Sequence, residues 1–124
     1  MALTLTTAAR NAICDALTAA IDGGTGAGYL EFQTASDVEA ATLLFSATSF
    51  AAATGGQATA NAINNDAGAT GGTVDRFRIY DGDGVEILQG TVSTTGADIN
   101  LNTVTISAAS VVSISSLIIT QPAS

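Results

Sequence analysis

Apolar residues follow a helical period near the start of the chain and a two-residue period after it. Within 6–22 they fall on one stripe of a helix, formed by Ala9, Ala12, Ile13, Ala16, Leu17, Ala20 and Ile21. Thr6 or Thr7 can cap the start of this helix, and Gly23 and Gly24 are suited to its end. The pattern predicts one amphipathic helix over about 6–22.

The clearest strand signal lies at 73–81. Phe77 and Ile79 point to one side of this strand, and the other side carries Val74, Arg76, Arg78 and Tyr80. The next four residues, DGDG at 81–84, favour a tight turn, and the alternation resumes over 85–93. The pattern therefore predicts a β-hairpin.

Weaker strand signals lie at 29–34, 40–46, 57–63 and 111–120. The second of these begins after 36–39, which could instead form a helical turn. Short strands separated by turns are typical of antiparallel sandwiches and barrels. The sequence predicts a single domain, 1–124, that is mainly β: an antiparallel β-sandwich or barrel over 28–121 with one N-terminal α-helix.

Two stretches of the β-rich region depart from simple alternation. Ile99 and Leu101 share one phase, whereas Val104 and Ile106 share the other, so a β-bulge is expected near 102–103. Small and polar residues at 64–72 predict a flexible surface loop.

The composition removes most of the residues on which enzymes depend. Ala, Thr, Gly and Ser make up 65 of the 124 residues, and His, Lys and Trp are absent. Without His there is no Ser–His or Cys–His nucleophile and no imidazole ligand, and one cysteine cannot form an internal disulfide. We expect no catalytic residue, no cofactor, no metal and no enzymatic activity, with Cys14 as a small buried apolar residue.

The charge narrows the range of partners. The chain has eleven acidic residues and only three basic ones, Arg10, Arg76 and Arg78, which gives a net charge of −8. We expect no nucleic-acid partner, because phosphates would be repelled and a basic patch is missing. The first ten residues do not resemble a signal peptide, and no apolar run is long enough for a membrane span, so synthesis in a cytoplasm is expected.

Two familiar binding motifs have simpler interpretations. The glycine-rich stretch 23–28 does not fit the dinucleotide fingerprint, because it follows a helix and has Tyr29 at the last glycine position. Asp81, Asp83 and Glu86 could offer oxygens to Ca²⁺, but they lack the ligand number of a calcium loop. The hairpin turn already explains the Asp-Gly repeats.

Five residues are candidates for a partner interface. Arg76, Arg78 and Tyr80 share one strand face, and Arg and Tyr are common at interface hot spots. The alternative is local pairing of the arginines with acids such as Asp75, Asp81 or Glu86. Leu3 and Leu5 alternate with threonine and form either a frayed tail or a strand added to a neighbouring subunit.

The layout of the whole chain resembles a known group of proteins. The features are a short capped helix, glycines at 23–28, an Ala/Thr/Gly-rich middle, FRIYDGDG at 77–84, GADINL at 96–101 and VSISSLIITQPA at 112–123. Together they resemble small virion structural proteins of tailed bacteriophages and prophages. Within that group the capsid decoration, or cement, proteins are the most similar.

The resemblance implies a role without chemistry. It implies a β-rich protein on the outside of the phage head, bound to the major capsid protein as a trimer, which reinforces the shell. It carries no catalytic residues over to this chain. Alternatives are a tail-tube or tail-tip subunit, with 46–72 as its interface loop, and a receptor- or carbohydrate-binding module, which the lack of Trp disfavours. A pilus-like subunit is disfavoured by the missing export signal.

Overall fold

The structure, a computed structural model, describes residues 3–123. Its elements are α1 (Thr7–Ile21), β1 (Tyr29–Gln33), β2 (Glu39–Leu44), β3 (Gln57–Thr59), β4 (Gly72–Thr73), β5 (Arg76–Tyr80), β6 (Glu86–Ser93), β7 (Ile99–Asn100), β8 (Thr105–Ile106) and β9 (Ile118–Thr120). The chain is thus mainly β with one N-terminal helix, which confirms the predicted fold class. Among these residues, no helix is both long and apolar enough to cross a membrane.

The helix begins and ends within one residue of the predicted bounds. The Oγ1 of Thr6 accepts a hydrogen bond from the Ala9 N–H at 3.1 Å, as an N-cap does. At the other end the Gly23 N–H donates to the Ala20 carbonyl at 3.1 Å. Cys14 and Ile21 are buried on the inner side of the helix, and Cys14 is the small buried residue that the sequence predicts.

One five-stranded sheet dominates the fold, in the order β2-β1-β5-β6-β7. The first three pairings are antiparallel, and the predicted hairpin is the β5–β6 pair. The exception to the antiparallel expectation is β7, which pairs in parallel with the end of β6. The side chains of this sheet that face inward include Leu30, Phe32, Leu43 and Ile79, all at most 1% exposed. Burying each of them contributes about 1.5–3 kcal/mol.

A second layer is built from short ladders that involve the C-terminal part of the chain. β3 pairs with β9 and β4 pairs with β8, both antiparallel. An isolated bridge joins Asp66 to Val112 between these ladders. The two layers curl into a half-barrel around the core, with the rings of Phe45 and Phe50 5.6 Å apart inside it.

The predicted strand 73–81 is in fact two strands, β4 and β5. The Val74 N–H donates to Val104 in the second layer, whereas the Asp75 N–H donates to Gln33 in the main sheet. The chain changes layers between these two residues, so the alternation restarts. The prediction that Val74 shares a face with Arg76 was therefore wrong, and Val74 is 3% exposed in the core.

Four other predictions about the β-rich region need correction. No bulge joins 99–101 to 104–106: β7 and β8 are separate strands in different sheets, which removes the phase conflict. The strands predicted at 57–63 and 111–120 shrink to β3 and β9. The alternative helical turn at 36–39 is a tight turn, in which the Thr34 N–H donates to Val38 and Asp37 has φ 63°.

Residues 64–72, predicted as a flexible surface loop, lie along the outer edge of β2. The Asn64 N–H donates to the Leu44 carbonyl, the Gly71 N–H donates to the Ala40 carbonyl, and the Asp66 carboxylate accepts from the Thr42 N–H, at 2.8–2.9 Å. We call this stretch the edge cover. It satisfies backbone groups that an uncovered edge strand would expose. Its flexibility stays a prediction.

Candidate interaction surfaces

The predicted interface residues of β5 lie on the solvent side of the five-stranded sheet, which we call the outer face. Antiparallel pairing places Tyr80 opposite Tyr29, Arg78 opposite Glu31, and Arg76 opposite Gln33. Residues directly opposite one another in such a pair share a face of the sheet. The structure therefore joins Arg76, Arg78 and Tyr80 with three β1 residues that the sequence analysis did not single out.

Both arginines of the outer face are paired with acids of their own chain. Arg76 contacts Asp37 at 2.9 Å and Asp75 at 3.1 Å, while Arg78 contacts Glu86 at 3.1 Å and Asp37 at 3.3 Å. The hydrogen bond to Asp75 raises the pKa of Arg76 further. Local pairing with Asp75 and Glu86 was anticipated, but Asp81 does not take part. Asp37 was not anticipated as a partner, because it lies 39 residues from Arg76 along the chain and a turn brings it close.

The tyrosines of the outer face stack on one another. The ring centroids of Tyr29 and Tyr80 are 4.9 Å apart at 21°. Burial raises the pKa of Tyr29, and Glu31, Tyr80 and Asp81 raise it further. Beside this stack the Nε2 of Gln33 donates to Glu31 at 2.8 Å and to the Tyr80 hydroxyl at 3.3 Å. The stack and these hydrogen bonds link Tyr29 and Tyr80 to each other and Tyr80 to Glu31 through Gln33.

Leu3 and Leu5 lie in an extended segment next to the other end of the chain. The Leu5 N–H donates to the Ala123 carbonyl at 2.7 Å, so this part of the segment is bound to its own chain. Leu3 is 76% exposed. Ala2, which belongs to the same apolar stretch, lies outside the described residues. Of the two leucines, Leu3 is the one available to a neighbour.

The carboxylates of the DGDG turn accept hydrogen bonds from other residues of the same chain. Asp81 accepts from the N–H groups of Asp83 and Val85, both at 2.9 Å. Asp83 accepts from the N–H and the hydroxyl of Thr25, and these bonds lower its pKa. They tie the turn to the glycine-rich stretch 23–28. Over residues 3–123, no three His, Cys, Asp or Glu side chains are grouped to hold a metal ion.

A second surface, which we call the seam, lies where the half-barrel is open between β6 and β9. A hollow of about 260 Å³ separates the two strands there. Its lining is largely apolar: Phe77, Ile79, Leu88, Gln89, Asp98, Ile99, Leu117, Ile118 and Ile119. The hollow continues into another of about 350 Å³ beside β7, lined mainly by Asn and Ser with Ile and Leu. Sequence reasoning missed the seam because its two sides are some 30 residues apart along the chain.

Both walls of the seam are unpaired strand edges. Among residues 3–123, β6 pairs over 86–90 only with β5, and β9 pairs only with β3. The Val92 N–H donates to Asp75 across the β5 side, so the backbone N–H and C=O of Gln89, three residues away, point the other way. By the same alternation, the backbone groups of Ile118 point away from β3. Two hydrogen-bonding edges therefore face each other across an apolar floor.

Asp98 gives the seam a negative end. Its Oδ2 accepts from the N–H and the hydroxyl of Thr91 at 2.9 and 3.1 Å, and these bonds lower the pKa of Asp98. The carboxylate is therefore ionised at neutral pH. Gly90 makes this arrangement possible, because a Cβ there would lie 2.5 Å from the Phe77 ring and 2.8 Å from the Asp98 carboxylate.

No protein-family model, curated protein or solved structure matches this chain. We therefore infer the function from the geometry of the two surfaces. The outer face presents stacked aromatic rings and ion pairs, and the seam presents backbone donors and acceptors beside apolar side chains. Both arrangements suit recognition of another polypeptide.

Proposed function

We propose that this chain is a non-enzymatic structural protein of phage particles that decorates and stabilises the outside of the capsid. Its partner is the major capsid protein, and it self-associates there as a trimer. It is synthesised in the cytoplasm of the bacterial host and bound to the head surface afterwards. The proposal involves no cofactor, nucleic acid or membrane.

The observation that carries the proposal is the seam, an open pair of strand edges in an otherwise tightly hydrogen-bonded small fold. Strand edges bind polypeptides through main-chain hydrogen bonds, and this needs none of the chemistry that the composition lacks. A subunit repeated many times on a shell can act through modest contacts, because binding at many neighbouring sites adds up. The resemblance of the chain's layout to cement proteins points to the capsid as the shell.

Two features of the fold weigh against the alternatives. A tail-tube subunit would use 46–72 as a free interface loop, but β3 and the edge cover occupy 57–59 and 64–72, and the N–H groups of Ser49, Ala53 and Gly56 are bonded to side chains of the helical region. A carbohydrate-binding module would present aromatic side chains to sugar rings, whereas Tyr29 and Tyr80 stack on each other. These observations favour the capsid over the tail or a receptor.

The deciding experiment is immunogold electron microscopy of particles from the producing culture. An antibody against this chain is expected to label heads at many sites per particle. Labelling confined to tails would overturn the proposal in favour of a tail subunit. Absence of label from every particle would show that the protein is not part of the virion, and a non-virion binding module would then be the remaining interpretation.

A stability assay tests the second half of the proposal. Heads stripped of this protein should release their DNA at a lower temperature than decorated heads, and adding back the purified chain should restore the difference. If stripped and decorated heads release their DNA at the same temperature, the protein decorates the capsid without reinforcing it.

A further inference from the structure

We propose that the seam binds one extended, positively charged segment of the partner, which enters as an added β-strand between β6 and β9. This inference rests on the proposed function for the identity of the partner, the shell protein. The mode of binding rests on the seam alone.

The seam offers backbone hydrogen-bonding groups on both of its walls and apolar side chains between them. On one wall the N–H and C=O of Gln89 point into the gap, and on the other wall those of Ile118 do. Between the walls lie inward-facing side chains of both layers, among them Phe77, Ile99 and Leu117. An extended segment fits this site, because it carries backbone groups on both edges and can direct alternate side chains onto the apolar floor.

The contrast with the opposite edge of the sheet strengthens this interpretation. There the edge cover supplies partners to the backbone of Ala40, Thr42 and Leu44. The chain thus protects the β2 edge with its own residues and leaves the β6 edge unprotected over 86–90. Unprotected edges are the places where sheets accept strands from other chains.

The negative charge at and around the seam favours a positively charged segment as its binding partner. The ionised Asp98 lies at one end of the seam, and the protein as a whole carries a net charge of −8. A second copy of this chain would bring the same excess of acids, and its Arg10, Arg76 and Arg78 are already bonded to Gln121, Asp37, Asp75 and Glu86. The occupant is therefore a segment of a different protein, with Lys or Arg near the position that meets Asp98.

One pair of variants tests the backbone contribution. Gln89→Pro removes the N–H that points into the seam, and Gln89→Ala removes the same side chain while keeping the N–H. Because this edge is unpaired, both variants should fold, as checked by thermal unfolding. Gln89→Pro should weaken partner binding at least about tenfold relative to Gln89→Ala.

A second pair tests the charge. Asp98→Asn removes the negative end of the seam, and Asp83→Asn is its matched control, because Asp83 also accepts from the N–H and hydroxyl of one threonine but lies on the DGDG turn. Asp98→Asn should weaken binding several-fold, and Asp83→Asn should leave binding unchanged.

The probes are stripped phage heads and a capped synthetic peptide of alternating valine and threonine with a lysine at each end. Hydrogen exchange of the full-length chain should show new protection at 86–90 and 117–120 with either probe. A peptide with glutamates in place of the lysines should bind at least about tenfold more weakly.

The outcomes separate the two proposals. Head binding with protection elsewhere, and none at the two edges, overturns the seam and leaves the capsid role standing. Peptide binding at the edges without head binding upholds the strand site and overturns the capsid role. Equal binding of the Gln89→Pro and Gln89→Ala variants to the peptide overturns strand addition, and failure of both probes to protect either edge overturns it as well.

Discussion

At the scale of single residues, polar side chains of the helix organise the segment that follows β2. Asn11 and Asp15 of α1, and Asp22 directly after it, accept hydrogen bonds from the N–H groups of Gly56, Ala53 and Ser49 respectively, each at 2.8 Å. These bonds satisfy backbone donors in a stretch with little regular structure of its own. The helix thus acts as a row of acceptors as well as an apolar cover.

Asp22→Ala should destabilise the protein by about 1–3 kcal/mol, because it leaves the N–H of the fully buried Ser49 without an acceptor. Asp22→Asn is the control, since its amide oxygen can still accept and its neutral side chain suits the helix C-terminus better. Urea denaturation of the three proteins measures the difference. Equal losses in both variants would mean that charge, and not the hydrogen bond, is what matters.

Asp83 should titrate below the usual range for aspartate, because the hydroxyl and N–H of Thr25 stabilise its ionised form. Its contribution to stability is therefore present above the ordinary aspartate pKa, near 4, and is lost as the pH falls through the lowered value. Carbon NMR of the side-chain carboxyl measures the pKa directly. Thr25→Ala should move it back toward the ordinary value, and an unchanged titration would contradict this account.

At the scale of elements, the two edges of the main sheet differ in how far the rest of the chain covers them. β2 is sealed by hydrogen bonds from the edge cover, and the Asp66 carboxylate takes the place of a backbone carbonyl opposite Thr42. β6 is bounded by β7 over only two residues. Of these two edges, β6 is the one that keeps backbone groups open to an added strand, over 86–90.

Asp66→Ala should open the sealed edge locally. The Thr42 amide loses its acceptor, and its hydrogen exchange should accelerate at least about tenfold, whereas the amides of β5 should stay protected. Asp66→Asn retains an acceptor oxygen and should exchange more slowly than the alanine variant. Exchange at Thr42 that does not respond to either change would show that the rest of the edge cover holds β2 by itself.

Gly90→Ala should destabilise the protein by about 1–3 kcal/mol, because the new methyl group would collide with the Phe77 ring beneath the seam. Gly68→Ala is the matched control, since a Cβ there meets nothing within 4 Å. Thermal unfolding of the two variants gives the comparison. A Gly90 variant as stable as the control would mean that Phe77 can move aside.

Sequence patterns predicted those elements whose signal is local. The helix and the β5–β6 hairpin were predicted closely because capping, periodicity and turn residues all lie within a few positions of one another. Pairing between distant segments was not predictable, because alternation shows which side a residue faces but not which strand lies beside it. Thus Arg78 could be placed on the outer face, but neither Asp37 nor the seam could be found.

At the scale of the whole molecule, charge is distributed so that all three arginines are bonded within the described chain and acids remain in excess. Two copies therefore repel each other over distances that salt can screen. A partner with basic segments is attracted over the same distances. The two interactions should respond to ionic strength with opposite signs.

Under the proposed function, raising the NaCl concentration from about 50 to about 500 mM should slow binding of the chain to stripped heads and favour its self-association. Surface-immobilised heads measure the first effect, and analytical ultracentrifugation measures the second. Asp98→Asn should reduce the salt dependence of head binding. Responses of the same sign would indicate that charge does not choose between the partners.

The unequal edges of the sheet also limit how far strand addition can continue. In the language of polymer chemistry the main sheet is monofunctional: only one of its edges accepts a strand, so each addition terminates growth instead of propagating it. A sheet with two open edges would be bifunctional and could elongate into fibres. At high protein concentrations, this difference separates a chain that stays dispersed from one that precipitates with itself.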